Sequence, residues 1–213
     1  MNYLPRTIQP VIEEASKFFK IVMVSGMRQV GKSTLLKQLS SDKRTIISFD
    51  DINNLESAKN APLQFLQLNP PPCFFNQVQR VPEIFKALKI SVDSRSEKGL
   101  YWLSGSQKLS LMSQVSDALP GRLMNFELWP FSIYEIAGKG LEQKPYLPSF
   151  SLSSNLPILD PADTWNAVFQ GFWPELKKAT ETERSWFFRS LVDLYLSRDV
   201  RSLSGIEKFD EFE

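Results

Sequence analysis

Between residues 26 and 33 the chain reads Gly26-Met27-Arg28-Gln29-Val30-Gly31-Lys32-Ser33, a complete G-x-x-x-x-G-K-[ST] stretch. Before it stands Lys20-Ile21-Val22-Met23-Val24-Ser25, a short β-branched apolar run of the buried-strand kind. After it comes Thr34-Leu35-Leu36-Lys37-Gln38-Leu39, whose leucine spacing predicts a helix. Strand, glycine-rich loop and helix in this order make an anion nest. Gly26 and Gly31 allow backbone conformations that a Cβ would obstruct, so consecutive N–H groups turn inward, and the helix start adds its dipole and unpaired donors. In such a loop Lys32 is the point charge for the β- and γ-phosphates and Ser33 the hydroxyl ligand for Mg²⁺.

The remaining composition narrows the chemistry. Among 213 residues, 25 are basic and 24 acidic, so a net charge of +1 advertises no nucleic-acid or anionic-membrane partner. With 42% apolar and 23% charged residues the chain reads as a soluble globular protein, with room for one domain and part of a second. No stretch reaches the length of a membrane span and the N-terminus lacks an apolar signal region, so a cytoplasmic location is expected. The chain has no histidine, which removes His triads, His metal sites and His bases. The single cysteine, Cys73, lies in an apolar run and reads as a buried thiol.

Along the chain, Thr7 to Phe19 predicts a lead-in helix. Further strands are expected at 44–51, 73–75, 100–104 and 123–128, with helices at 60–68, 82–92 and 109–115 and a break at Pro70-Pro71-Pro72. Alternation of this kind implies a parallel sheet with helices on both faces and ligands at the strand carboxyl ends. The phosphate loop, Asp50-Asp51, Asn76-Gln77 and Ser104 to Gln107 all fall at such ends. Asp50 and Asp51 read either as contacts to the waters or ligands around Mg²⁺ or as turn and helix caps. Arg28 is expected to project outward.

Residues 1–137 are read as the domain built on the phosphate-binding loop and 138–162, rich in Pro, Ser, Gly and Lys, as a linker or insertion. Residues 163–213 are read as the start of a second, mostly helical domain that is cut short. Its helix from Glu181 carries a broad apolar stripe, including Trp186, Phe187, Leu191, Leu194, Tyr195, Leu196 and Val200. That stripe is expected either to fold back on the first domain or to drive self-association.

The phosphate loop, the strand ending in Asp50-Asp51, Phe74-Phe75-x-x-Val78-Gln79, Leu103-Ser104-Gly105-Ser106-Gln107, Gly121-Arg122 and the late Tyr195-Leu196-Ser197-Arg198-Asp199-Val200 together resemble prokaryotic AAA-type ATPases, in which an N-terminal ATPase domain precedes a C-terminal domain of unknown function. The resemblance covers nearly the whole chain. It implies an AAA-like P-loop NTPase sheet of strand order 5-1-4-3-2 and ATP with Mg²⁺ as ligands, held by Gly26, Met27, Arg28, Gln29, Val30, Gly31, Lys32, Ser33 and Thr34.

It also implies a polar γ-phosphate sensor at Ser106, where a helix cap is the other reading. Arg122 would stabilise phosphoryl charge from a neighbouring subunit, or would be a salt-bridged arginine. A homo-oligomer could thus form through Arg122 or through the C-terminal helix. The departure lies at the third strand, where the family has Asp-Glu and this chain has Asn76-Gln77. The two catalytic positions keep their shape and lose both charges. Asn76 can still meet Mg²⁺ weakly through its carbonyl oxygen, whereas Gln77 cannot act as a base. Hydrolysis is therefore expected to be impaired while binding survives. The pair is read as a natural pseudo-ATPase or a deliberate substitution. A nucleotide-gated interaction module is the rival reading. A GTPase is disfavoured by the absence of an Asn-Lys-x-Asp segment, and a phosphotransferase by the absence of an arginine-rich lid.

Overall fold

The computed structural model describes residues 3–40, 43–106, 119–142 and 160–194. Helix α1 (Gln9–Phe18) leads into β1 (Ile21–Ser25), and α2 (Lys32–Ser40) follows the phosphate loop. Next come β2 (Thr45–Ser48), α3 (Ile52–Asn60), α4 (Pro62–Leu68), β3 (Cys73–Asn76), α5 (Ile84–Asp93), β4 (Tyr101–Ser104) and β5 (Leu123–Glu127). The short α6 (Ile133–Ile136), α7 (Pro161–Gln170) and α8 (Glu181–Leu194) complete the described elements.

The five strands form one parallel sheet in the order β2-β3-β4-β1-β5. Read from the other edge, this is the order 5-1-4-3-2 that the family resemblance implies. Every residue of β1, β3 and β4 is buried, as strands covered on both faces require.

Alternation along β1 sorts the core into two layers. Ile21 and Met23 join Phe75, Tyr101 and Leu103 under α3, α4 and α5. Val22 and Val24 join Phe74 and Trp102 under α1 and α2, with Ile12, Leu35 and Leu36. In the first layer Phe75 stacks between Phe49 and Tyr101, with ring centroids 5.7 Å away on each side. Truncating such a fully enclosed ring costs about 3–5 kcal/mol.

One local expectation changes and another holds. Ile52–Asn60 forms a helix that the apolar spacing does not announce. It is launched by Asp51, whose carboxylate accepts from the N–H groups of Asn53 and Asn54, so the capping reading of Asp51 holds. Cys73 is a buried free thiol whose Sγ donates to Asn69 O and Pro70 O, with its pKa pushed up to about 11 by burial.

The N-terminal residues are tied to the far side of the phosphate loop. Arg6 pairs with Glu135 at 3.1 Å, and both are buried. Glu135 also accepts from Thr7 N and closes a capping box with Ser132 at the start of α6. Arg6 reaches further, donating to Val30 O inside the loop at 2.9 Å and to Trp129 O, with its guanidinium over the Phe131 ring. Residues 171–176 lie against the same loop: Phe131 N donates to Phe172 O, and the Trp173 indole donates to Arg28 O at 3.2 Å. On α8, Phe187 and Phe188 pack edge-on against Trp173. Part of the apolar stripe on α8 is thus covered by Trp173, which itself bonds the loop, while Trp186 remains 67% exposed. The helix expected at 109–115 and the motif Tyr195 to Val200 lie outside the described residues.

Candidate functional site

The strand order decides which residues meet. Because β4 lies between β1 and β3, the loop that leaves β1 and the start of α2 arch over the end of β4, and α2 packs against both β3 and β4. Ser33, on the first turn of α2, donates from Oγ to Asn76 Oδ1 at 2.5 Å. Ser104, at the end of β4, donates to the same oxygen at 2.7 Å, and Asn76 Nδ2 donates to Ser48 Oγ at 3.2 Å. The Asn76 amide thereby ties together the carboxyl ends of β2, β3 and β4 and the loop helix.

These residues open into a cavity of about 800 Å³, lined among others by Arg28, Gln29, Gly31, Lys32, Ser33 and Thr34 from the loop side. Asn76, Gln77, Ser104 and Ser106 from the strand ends line the opposite side. A volume of this order suits a ligand of nucleotide size. Lys32 Nζ donates to Gly26 O at 2.9 Å and to Met27 O, so it lies folded onto its own loop. Burial, and secondarily the Arg28 charge, depress the Lys32 pKa from its ordinary value to about 8.

The backbone here has little freedom. Gly26 has φ +139°, and a Cβ on it would stand 2.3 Å from Leu128 O, so no other residue fits without moving β5's exit. Gln29 and Gln77 are the non-glycine residues with positive φ among the described residues, and both line this cavity. Such conformations cost on the order of 1–3 kcal/mol each and cluster at functional sites.

Arg28 lines the cavity instead of projecting outward, and its Nε is buried without a hydrogen-bond partner. The hydroxyls of Ser25, just before Gly26, and of Ser106 are likewise buried and unpartnered. Two of these orphaned groups, on Arg28 and Ser106, line the cavity beside Lys32, and they fit a phosphate chain that accepts hydrogen bonds. For a divalent cation the donors are the Ser33 hydroxyl and the Asn76 amide oxygen, both neutral. Among the described residues no cluster of three metal-binding side chains exists. That set suits a cation brought in by phosphates, not one held by protein alone.

A family model for the AAA domain matches residues 18–137, from the last turn of α1 through α6. The chain belongs to the AAA-domain family. Two curated relatives also match the chain, an uncharacterized protein of Mycobacterium bovis and one of Mycobacterium tuberculosis. Each is 27% identical over 141 residues, which is 63% of this chain and 32% of the relative. The matched segment thus spans about a third of those relatives' length. Among solved structures, that of Saccharomyces cerevisiae RIF2 aligns over 97% of this chain and 74% of its own, with a TM-score of 0.42 and 13% identity.

Of the residues the sequence singled out, the loop residues, Asn76, Gln77 and Ser106 come together in this AAA domain. Gly26, Met27 and Val30 belong to the loop without lining the cavity, Val30 being fully buried in the core. Arg122 does not join them. It precedes β5, whose Leu123 stands opposite Ile21 at the start of β1, so Arg122 lies at the other edge of the sheet. There it pairs with Asp93 at 2.5 Å, which is the salt-bridge reading; within its own chain it cannot meet the phosphates. Asp50 lines the cavity but is paired with Arg80 at 2.9 Å.

Sequence reasoning missed Gln79, Arg80, Pro174, Glu175, Leu191 and Leu194, which also line the cavity. It also missed Arg6 and Trp173, which grip the loop from behind. Both stand in segments with no motif of their own, and no local pattern says which loop such a segment will lie against.

Proposed function

We propose that this AAA domain binds Mg·ATP and hydrolyses it poorly. The observation that supports the reading best is the pairing of Ser33 with Asn76: the loop is intact and the cation-bearing hydroxyl is held, yet the position facing it is an amide. The triphosphate would lie along the loop N–H groups with Lys32 released from Gly26 O and Met27 O to meet it. The base would enter the largely apolar cavity of about 740 Å³ on the other side of Gly31 and Thr34, bordered by Tyr3, Leu4, Phe131 and Pro174.

Mg²⁺ when bound would supply neutralisation of phosphate charge; the Ser33 hydroxyl would hold it, and Asn76, whose Oδ1 accepts from Ser33 and Ser104, would reach it only by giving up one of those hydroxyls. Gln77 cannot take a proton from water at any physiological pH, so the general-base contribution of about 10²–10⁴-fold is missing. A calorimetric titration with Mg·ATP, followed by phosphate release on the same sample, tests both halves. Binding with negligible release is the expected result, and brisk release or no binding overturns the reading.

A second reading is a nucleotide-gated interaction module. It is favoured by one observation: Trp173 donates to Arg28 O, and Leu191 and Leu194 of α8 line the phosphate cavity, so a ligand there would touch the C-terminal segment directly. The two readings share the binding step. They differ in whether the retained nucleotide is a stalled substrate or the signal itself.

A further inference from the structure

Gln77 is joined to the end of β4 through a short chain of amides with a defined direction. The peptide N–H of Ser106 can only donate, and it points to Gln79 Oε1 at 3.3 Å. With its oxygen engaged there, Gln79 presents its NH₂ on the other side, where Nε2 donates to Gln77 Oε1 at 2.6 Å. The carbonyl oxygen of Gln77 is therefore used. What Gln77 has left is its own NH₂, which has no partner among the described residues. Gln77 and Gln79 both line the phosphate cavity, together with the unpartnered Ser106 hydroxyl. Gln77 is held in this pose at φ +66°, a conformation that the adjoining 3₁₀ turn Val78–Arg80 maintains by an Arg80 N to Gln77 O bond of 3.1 Å.

We infer that Gln77 is a hydrogen-bond donor to the terminal phosphate of the bound nucleotide, and that Gln79 is the positioning residue that fixes this polarity. A carboxylate at position 77 would present only acceptors to an anionic phosphate chain. The amide presents a donor and adds no charge. The site then discriminates a triphosphate from a diphosphate by a contact that only the third phosphate can complete. This inference rests on the nucleotide-binding reading and deepens it, turning position 77 from a lost base into a specificity determinant.

The test is a set of calorimetric titrations of the whole chain with Mg·ATP and with Mg·ADP, on wild type, Gln77→Ala and Gln79→Met. Gln79→Met keeps the length of the side chain, leaves the strained residue 77 in place and removes both hydrogen bonds. Wild type is expected to prefer ATP. Gln77→Ala should cut the ATP-to-ADP affinity ratio about tenfold, the worth of a hydrogen bond to a charged group, with ADP affinity little changed.

Gln79→Met should lower the same ratio, and Gln77→Ala in the Gln79→Met background should add little, since the two act through one contact. A merely structural role for either residue would weaken both nucleotides alike and leave the ratio in place, which overturns the inference but not ATP binding. Wild type that binds neither nucleotide would overturn the nucleotide-binding reading itself.

Discussion

Ser33 and Asn76 are 43 positions apart in sequence and 2.5 Å apart in space, with the hydroxyl donating to the amide oxygen. With its proton given to Asn76, Ser33 keeps its lone pairs facing the cavity, where a cation would need them. Asn76 Oδ1 accepts from Ser104 as well, so its acceptor capacity is used twice. An aspartate there would accept the same two hydroxyls and add a charge; the asparagine keeps the geometry and withholds the charge.

Replacing Lys32 by Ala should weaken Mg·ATP binding by some 30- to 150-fold, as losing a charge-assisted contact to phosphate costs about 2–3 kcal/mol. The fold should survive, because the Lys32 ammonium bonds only carbonyls of its own loop, Gly26 O and Met27 O. Titration calorimetry on the two proteins measures the difference directly, and equal affinities would sink the role.

Binding should also depend on pH in a definite direction. The Lys32 pKa of about 8 is depressed by burial and by Arg28, and a bound polyphosphate raises it. Binding therefore takes up protons, and affinity falls as pH rises above 8 and is flat well below it. At pH 8 the uptake is about half a proton, readable from titrations in buffers of different ionisation enthalpy. The signal should vanish in Lys32→Ala. Stability runs the other way: a lysine whose pKa is lowered by folding leaves more protons on the unfolded chain between about 8 and its ordinary value. Its destabilising contribution is full below pH 8 and is relieved as pH rises through that window.

Restoring both acids, Asn76→Asp with Gln77→Glu, should raise phosphate release by at least about 100-fold if the site is otherwise complete. The neighbours accommodate the change. Ser33 and Ser104 still donate to position 76, and Ser48, which now accepts from Asn76 Nδ2, has a hydroxyl proton that can turn toward a carboxylate. A double variant that binds ATP and still fails to release phosphate would point to a missing group supplied in trans. Arg122, exposed enough at the far sheet edge to meet a second copy, is the candidate named by the sequence.

Glu135→Ala should be among the most destabilising single changes in the domain. It leaves Arg6 charged and buried, with burial already pressing its pKa down, and it removes the acceptor of Thr7 N and of the α6 capping box. Breaking one side of a buried pair costs about 3–5 kcal/mol. A denaturant titration reads the loss. ATP affinity should fall too, since Arg6 also holds Val30 O.

What the chain alone determined was local. Strand, glycine loop and helix around Gly26 to Ser33 were legible because the loop needs those residue types at that spacing, and the strands β1, β3 and β4 because burial on both faces demands unbroken apolar runs. The order of the strands came from the resemblance of the motifs, and the sheet has that order. The α3 helix stayed hidden because its signal is a cap at Asp51 and not a periodic apolar face. Tertiary structure decided the rest of the site. Placing β4 between β1 and β3 brought Ser33, Ser104 and Asn76 to one oxygen, aligned Gln77 and Gln79 with Ser106, and sent Arg122 to the opposite edge. It also laid Arg6 and Trp173 on the back of the loop. None of these contacts repeats along the chain, so no local period or motif encodes them. They exist only because parallel strands put their carboxyl ends, and whatever follows them, on one side of the sheet.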